Sequence, residues 1–144
     1  MAETILVSSA LTSRMIEAGR SLVVGLDKAG LAFEAAFWLS DEESGIWHLV
    51  LSMKAVKMDG SRALYSQVHK VLLNLGLEAD IRIWMISIVG DKTPIVKSLR
   101  GVLGTAASID GAVLDDAFIG GVRIPGCLLY RLSRRQKLQE VYKS

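Results

Sequence analysis

Two neighbouring segments with alternating apolar residues constrain the fold of this chain more than any other feature of its sequence. The first reads LAFEAAFWL over residues 31–39, and the second reads IWHLVLSM over residues 46–53. A period of two is typical of β-strands, whose successive side chains point to opposite faces. Between them, residues 40–45 read SDEESG, a polar run that ends in glycine. Together these residues predict a β-hairpin.

Helical periodicity lies on both sides of this hairpin. Before it, apolar residues recur at helical spacing after Thr12 or Ser13, either of which can cap a helix start. Gly30 is suited to end that helix, because glycine tolerates the left-handed conformation of a helix C-terminus. After the hairpin, a second helix is predicted to begin at Asp59 or Ser61 and to end at Gly76.

The second half of the chain predicts further strands. IRIWMISIV over residues 81–89 is apolar on both faces, which is typical of a central strand. A short third helix is predicted from Pro94 to about Leu103. The segment that follows predicts two or three short strands, broken at Gly120–Gly121 and at Pro125–Gly126.

The element order α-β-β-α-β-α-β-β predicts an α+β fold. We expect a single domain over residues 1–132, with a mixed, mainly antiparallel sheet and about three helices on one face. Residues 133–144 form a basic C-terminal tail in this interpretation. If both faces of the sheet are equally apolar, a second copy of the chain has to cover the other face.

Composition narrows the class of protein. The 144 residues are 51% hydrophobic, yet no strongly apolar run approaches the roughly 18 residues that a membrane-spanning helix needs. The N-terminus, MAETILVSSA, carries Glu3 where a signal peptide carries basic residues. The single cysteine, Cys127, cannot form an internal disulfide. We therefore expect a soluble, cytoplasmic protein that does not bind membranes and that places its apolar surplus in a core or a subunit interface.

The stretch IVGDKTP, residues 88–94, resembles a phosphate-binding loop at first sight. Such a loop needs a second glycine so that successive backbone N–H groups can surround a phosphate, and here only Gly90 precedes the lysine. The residues instead predict the start of a helix, with Thr93 as its cap and Pro94 in its first position. A weak anion site at Lys92 and Thr93 stays open, because a helix N-terminus attracts negative charge.

Few other residues suggest chemistry. Asp115 and Asp116 are adjacent acids in a strand-like segment, and paired carboxylates can bind a metal or act in acid–base catalysis. Neighbours on a strand point to opposite faces, however, which favours a turn or a solvated edge. His48 and His69 are isolated from acids at any diagnostic spacing. We expect no catalytic residues, no metal site and no cofactor, and we keep Lys92, Thr93, Asp115 and Asp116 as candidate ligand-binding residues.

Three tryptophans, Trp38, Trp47 and Trp84, lie on three predicted strands. They could form an aromatic platform for a planar ligand. Tryptophan is also frequent in cores and at the centres of interfaces. Trp38 shares its predicted face with a glutamate and Trp84 with an arginine, which favours a core or dimer contact over a ligand site.

Basic residues are concentrated at the C-terminal end. Residues 131–144 contain five basic residues and one acid, whereas the whole chain has a net charge of only +2. Such a segment can neutralise phosphates of RNA or DNA. It lacks the glycine–aromatic signature of RNA-recognition sheets. The candidate nucleic-acid contacts are Arg131, Arg134, Arg135 and Lys137.

The stretches EAGRSLVVGLDKAGLAFEAAFWL and AFIGGVRIPGCLLYRL resemble small bacterial α+β proteins of accessory and mobile gene pools. This resemblance implies no activity and carries no catalytic residue over.

The sequence thus leaves three functions open. The first is a non-catalytic binding module that acts as a homo-oligomer, with the tryptophans at its interface. The second is an accessory protein that binds nucleic acid through the C-terminal tail. The third is a small-molecule-binding protein or enzyme with a pocket near residues 90–93 and Asp115–Asp116.

Overall fold

The computed structural model describes residues 11–31, 33–41, 44–53, 58–90, 93–103, 113–119 and 122–132. Within these residues the helices and strands follow the predicted order, and the α+β fold is confirmed. The helices are α1 (Ser13–Lys28), α2 (Met58–Asn74) and α3 (Pro94–Leu103). The strands are β1 (Ala35–Ser40), β2 (Trp47–Met53), β3 (Ile86–Gly90), β4 (Val113–Ile119) and β5 (Val122–Leu132).

The described strands form one five-stranded sheet in the order β3-β2-β1-β5-β4. Its β1–β2, β1–β5 and β4–β5 pairs are antiparallel, and only β2–β3 is parallel. The sheet is therefore mixed and mainly antiparallel, as predicted. The hairpin is confirmed too, with Ala35 opposite Ser52 and Ser40 opposite Trp47. Helix α2 supplies the crossover that two parallel neighbours require.

The predicted helix boundaries follow from local chemistry. The Thr12 hydroxyl accepts a hydrogen bond of 3.2 Å from the Met15 N–H, so Thr12 caps α1. Gly30 and Gly76 follow α1 and α2 with φ angles of +87° and +67°. These angles lie in the left-handed region, where residues with a Cβ are disfavoured.

Helices cover both faces of the sheet, which corrects the expectation that they cover one. On the first face, α1 and α2 bury their apolar stripes in a core with Trp38, Trp47 and Leu49. On the second face, Val96 and Leu99 of α3 pack in a separate core with Phe37 and Leu129. Because α3 connects β3 at one side of the sheet to β4 at the other, it crosses the second face. A second copy is therefore not needed to cover that face.

The third strand is shorter than predicted and is not central. Residues 83–85 form a turn of 3₁₀ helix, and β3 begins only at Ile86 as an outermost strand. Ile86 and Ile88 pack in the first core, and Val89 packs against the second. The apolar pattern of this segment thus reflects burial on both faces of an outer strand.

Strand β5 continues through Pro125–Gly126, where the sequence predicts a break. The paired register between β1 and β5 ends at Leu39 opposite Cys127, so Pro125 lies beyond the end of β1. Proline lacks an N–H, and in the part of the chain that the structure describes no strand lies beside Pro125 on that side to accept one. The predicted break at Gly120–Gly121 coincides with the two-residue connection between β4 and β5, and those two glycines lie outside the described residues.

A β-bulge changes the direction of side chains near the end of β5. Ala36 lies opposite Arg131, and Phe37 lies opposite Leu129, so Tyr130 is an extra residue without its own partner in β1. An extra residue shifts the alternation of the strand by one position. As a result, Tyr130 and Arg131, which are neighbours in sequence, both reach α1.

Candidate functional site

The Tyr130 hydroxyl is the centre of a buried hydrogen-bond network. It accepts a hydrogen bond of 2.8 Å from Nε1 of Trp38 and donates one to the backbone carbonyl of Ile16 in α1. The guanidinium of Arg20 lies 5.5 Å from the centre of the Tyr130 ring. This network fastens α1 to the sheet, and Trp38 is fully buried within it.

The three tryptophans do not form one surface. Trp47 is buried, and a Cβ at Gly126 would lie 2.8 Å from its ring, so the ring rests directly on β5. Trp84 lies in the 3₁₀ turn before β3 and is 62% exposed. The expected interface role is corrected for Trp38 and Trp47, because their side chains are used inside the core. Of the three tryptophans, only Trp84 exposes its indole ring.

Arg131 is used within the fold. Its Nη1 donates to Oδ1 of Asp27 at 2.9 Å and to the Phe33 carbonyl at 2.9 Å, while its Nη2 bonds to the other Asp27 oxygen. The hydrogen bonds from Arg131 hold the pKa of Asp27 below its ordinary value. The same hydrogen bonds, together with the negative charge of Asp27, raise the pKa of Arg131. Arg131 therefore connects the end of α1 to β5, and its role as a phosphate contact stays a prediction.

Replacing Asp27 with asparagine should destabilise the fold by about 1 kcal/mol near neutral pH, since the pair is bidentate but partly exposed. The folded-state pKa of Asp27 is lowered, so the pair stabilises the fold above the ordinary pKa of an aspartate. This contribution is lost as the pH falls through the lowered value. In urea unfolding, the difference between wild type and Asp27→Asn should therefore shrink from about pH 5 downwards.

Asp80→Asn is the matched control for this prediction. Asp80 pairs with Arg14 at 3.4 Å, and the Arg14 side chain is 74% exposed. An exposed pair of this kind contributes little, so we expect a change below about 0.5 kcal/mol. Equal effects of the two substitutions, or a gap for Asp27→Asn that persists at low pH, would contradict the assignment.

Arg134, Arg135 and Lys137 lie outside the described residues. Binding of nucleic acid through them stays a prediction.

The candidate ligand residues are far apart in the sheet. Thr93 follows β3, where its hydroxyl donates to the Gly90 carbonyl at 2.8 Å and its carbonyl accepts from the Lys97 N–H at 3.0 Å. It precedes α3 as predicted for a helix start, and Lys92 lies outside the described residues. Asp115 and Asp116 belong to β4, the outermost strand on the opposite side. Four strand spacings, roughly 19 Å, separate β3 from β4, so the structure does not bring these residues around one pocket.

The described residues also offer little internal space for a ligand between α1 and the sheet. The crevice lined by Asp27, Phe33 and Arg131 has no room for a water molecule.

Cys127 is buried, and this burial raises the pKa of its thiol to about 12, so it is held as a neutral thiol. Among the residues that the structure describes, no three His, Cys, Asp or Glu side chains are grouped as metal ligands.

The two outer strands of the sheet differ in how their free sides are protected. On β3, the Ile88 N–H donates to the Tyr65 hydroxyl of α2 at 2.9 Å. The Gly90 carbonyl accepts from both the N–H and the hydroxyl of Thr93. Side chains and turns that bond to an outer strand prevent it from pairing with another chain. The free side of β3 is thus protected within the fold.

The free side of β4 is the candidate interaction site. Within the described residues no strand pairs with it, and β4 carries the most exposed of the large apolar side chains described, Phe118 at 72%. Val113, at the other end of the strand, is 40% exposed. We call the outward side of Val113–Ile119 the β4 edge. The sequence does not reveal the β4 edge, because alternation of apolar and polar residues does not show which strand is outermost.

Comparisons with protein-family models, with curated proteins and with solved structures found no match to this chain. Over the described ranges, the helices are too short or too polar to cross a membrane.

Proposed function

We propose that the protein is a non-catalytic interaction module that acts as a homo-oligomer through the β4 edge. The observation that carries this proposal is the exposure of Phe118 on an outer strand whose free side pairs with no other strand that the structure describes. An outer strand with exposed apolar side chains is a template for pairing with another chain. Backbone hydrogen bonds supply affinity in such pairing, and side chains supply specificity.

Two contrasts within the described residues support this function over the alternatives. The edge of β3 is protected by Tyr65 and Thr93, whereas no described strand pairs with the β4 edge. Thr93 follows β3 at one edge of the sheet, whereas Asp115 and Asp116 lie in β4 at the opposite edge. This separation does not favour a small-molecule site formed by all three. Arg131, one of the four proposed nucleic-acid contacts, is bound to Asp27, which supports a role within the fold.

Native mass spectrometry combined with size-exclusion chromatography tests this function. We expect the wild type to form a dimer and Phe118→Ser to dissociate at least about tenfold more readily, since a phenyl ring buried at an interface contributes roughly 1.5–3 kcal/mol. The substitution replaces an exposed side chain, so the stability of the monomer should change little.

Trp84→Ser is the matched control, because it removes an exposed aromatic side chain from the opposite side of the sheet. It should leave the dimer intact. A wild type that stays monomeric at every concentration, or a dimer that is lost only in Trp84→Ser, would overturn the proposal. A co-purifying small molecule or oligonucleotide would favour one of the alternative functions.

A further inference from the structure

The pairing of β4 with β5 determines which backbone groups point to the β4 edge. Only two residues connect Ile119 to Val122, so these two residues lie opposite each other at the end of the hairpin. In such a hairpin the N–H and C=O of each of the two residues bond to those of the other. Hydrogen-bonded and non-hydrogen-bonded pairs alternate along an antiparallel ladder. Residues 113, 115, 117 and 119 therefore bond to β5. The N–H and C=O groups of Leu114, Asp116 and Phe118 point outward.

These three outward residues are symmetric about Asp116. The strand reads VLDDAFI, with apolar residues at both ends and Asp116 in the middle. Consider two copies of this strand paired in antiparallel orientation around Asp116. Leu114 of each copy then lies opposite Phe118 of the other, and Val113 of each copy lies opposite Ile119 of the other. Because two-fold interfaces require a patch that complements itself, this pattern fits a second copy of the same strand.

We propose that two copies pair their β4 strands in antiparallel orientation, with the two-fold axis at Asp116. This inference rests on the proposed function and specifies its partner and register. The pair would join two five-stranded sheets into one continuous sheet. All three outward residues of each copy would exchange hydrogen bonds with one another in this register, whereas a shifted register pairs fewer of these three with one another.

The same register places the two Asp116 residues directly opposite each other. Like charges at opposing positions destabilise a strand pair, and opposite charges stabilise it. Asp115 lies directly opposite Ala117 in this register, and it meets the like charge of the second copy only as a more distant diagonal neighbour. The charge at residue 116 should therefore control the affinity, and the charge at residue 115 should matter much less. A strand pair of seven residues is also smaller than a standard protein interface, which predicts a concentration-dependent dimer.

A charge-reversal mixture tests the register. Wild type mixed with Asp116→Lys should form heterodimers at about tenfold above the statistical proportion, as measured by native mass spectrometry, since Asp then faces Lys. The matched control is Asp115→Lys, which changes the neighbouring residue by the same charge and should mix with wild type in nearly statistical proportion. Circular dichroism and urea unfolding establish that each variant is folded.

The neutral variant Asp116→Asn provides a second measurement that does not require a reversed charge. Its homodimer should be severalfold tighter than that of wild type, because the opposing charges are gone. A dimer that depends on Phe118 but mixes statistically with Asp116→Lys would overturn the register and leave the proposed function standing. Absence of any dimer would overturn both, and a heterodimer preference for Asp115→Lys alone would show a different register.

Discussion

Replacing Gly19 with alanine should destabilise the fold by about 2 kcal/mol, although alanine is the better helix former by roughly 1 kcal/mol. A Cβ at Gly19 would lie 2.9 Å from Nε1 of Trp38 and closer still to the Tyr130 hydroxyl. Both atoms belong to the buried network that fastens α1 to the sheet. The helix must therefore move away or the network must break. Urea unfolding monitored by tryptophan fluorescence measures the change.

Gly25→Ala is the control within the same helix. The nearest atom to a Cβ at Gly25 is the end of the Leu75 side chain, at 2.7 Å. Leu75 is largely exposed and can rotate away, so the gain in helix propensity should dominate. We expect a change between zero and about 1 kcal/mol of added stability. If the two alanine substitutions change the free energy of unfolding equally, then the close packing at Gly19 does not contribute to stability.

Replacing Tyr130 with phenylalanine should cost about 2 kcal/mol of stability. The ring is retained, so the loss comes from the hydroxyl alone. Without it, the buried Nε1 of Trp38 has lost its acceptor and the Ile16 carbonyl has lost a donor. A buried donor without a partner bears the full penalty of its lost hydration. Thermal or urea unfolding measures this difference.

The double variant Gly19→Ala/Tyr130→Phe separates the two effects. The alanine methyl group clashes first with the oxygen that phenylalanine lacks. The combined loss should therefore be smaller than the sum of the single losses by at least about 0.5 kcal/mol, as expected for residues in contact. Additive losses would show that Gly19 and the Tyr130 hydroxyl do not share one contact.

Much of the local structure could be predicted because neighbouring residues determine it. The hairpin follows from two alternating segments around a polar loop, and the end of α1 follows from a glycine with positive φ. The start of α3 after Thr93 follows from proline chemistry, which separates IVGDKTP from a phosphate-binding loop. In each case the deciding residues lie within a few positions of one another.

The arrangement of the sheet could not be predicted in the same way. The apolar segment before Gly90 is typical of a central strand, yet β3 is outermost, because helices on both faces bury its two sides. Periodicity reports burial of a face and does not report the neighbours of a strand. The same limit hid the β4 edge, because the exposure of Phe118 depends on which strand ends the sheet.

The roles of Tyr130 and Arg131 depend on a single extra residue in β5. Regular alternation would place only one of two neighbouring side chains on the α1 side. The bulge places both there, so Tyr130 bonds to the Ile16 carbonyl and Arg131 bonds to Asp27. The sequence near Tyr130 contains no glycine or proline that would mark this bulge, and the Pro125–Gly126 pair, which resembles such a mark, lies in a continuous strand.

Fastening α1 through Tyr130 and Arg131 has a consequence for biosynthesis. Helix α1 leaves the ribosome before β5, and its contacts to Tyr130 and Arg131 span 114 and 104 residues of sequence. Until β5 is made, β1 also lacks one of its two neighbours. Contacts of such long range form late and slow the folding of a chain. The core around α1 is therefore completed only after β5 has been synthesised.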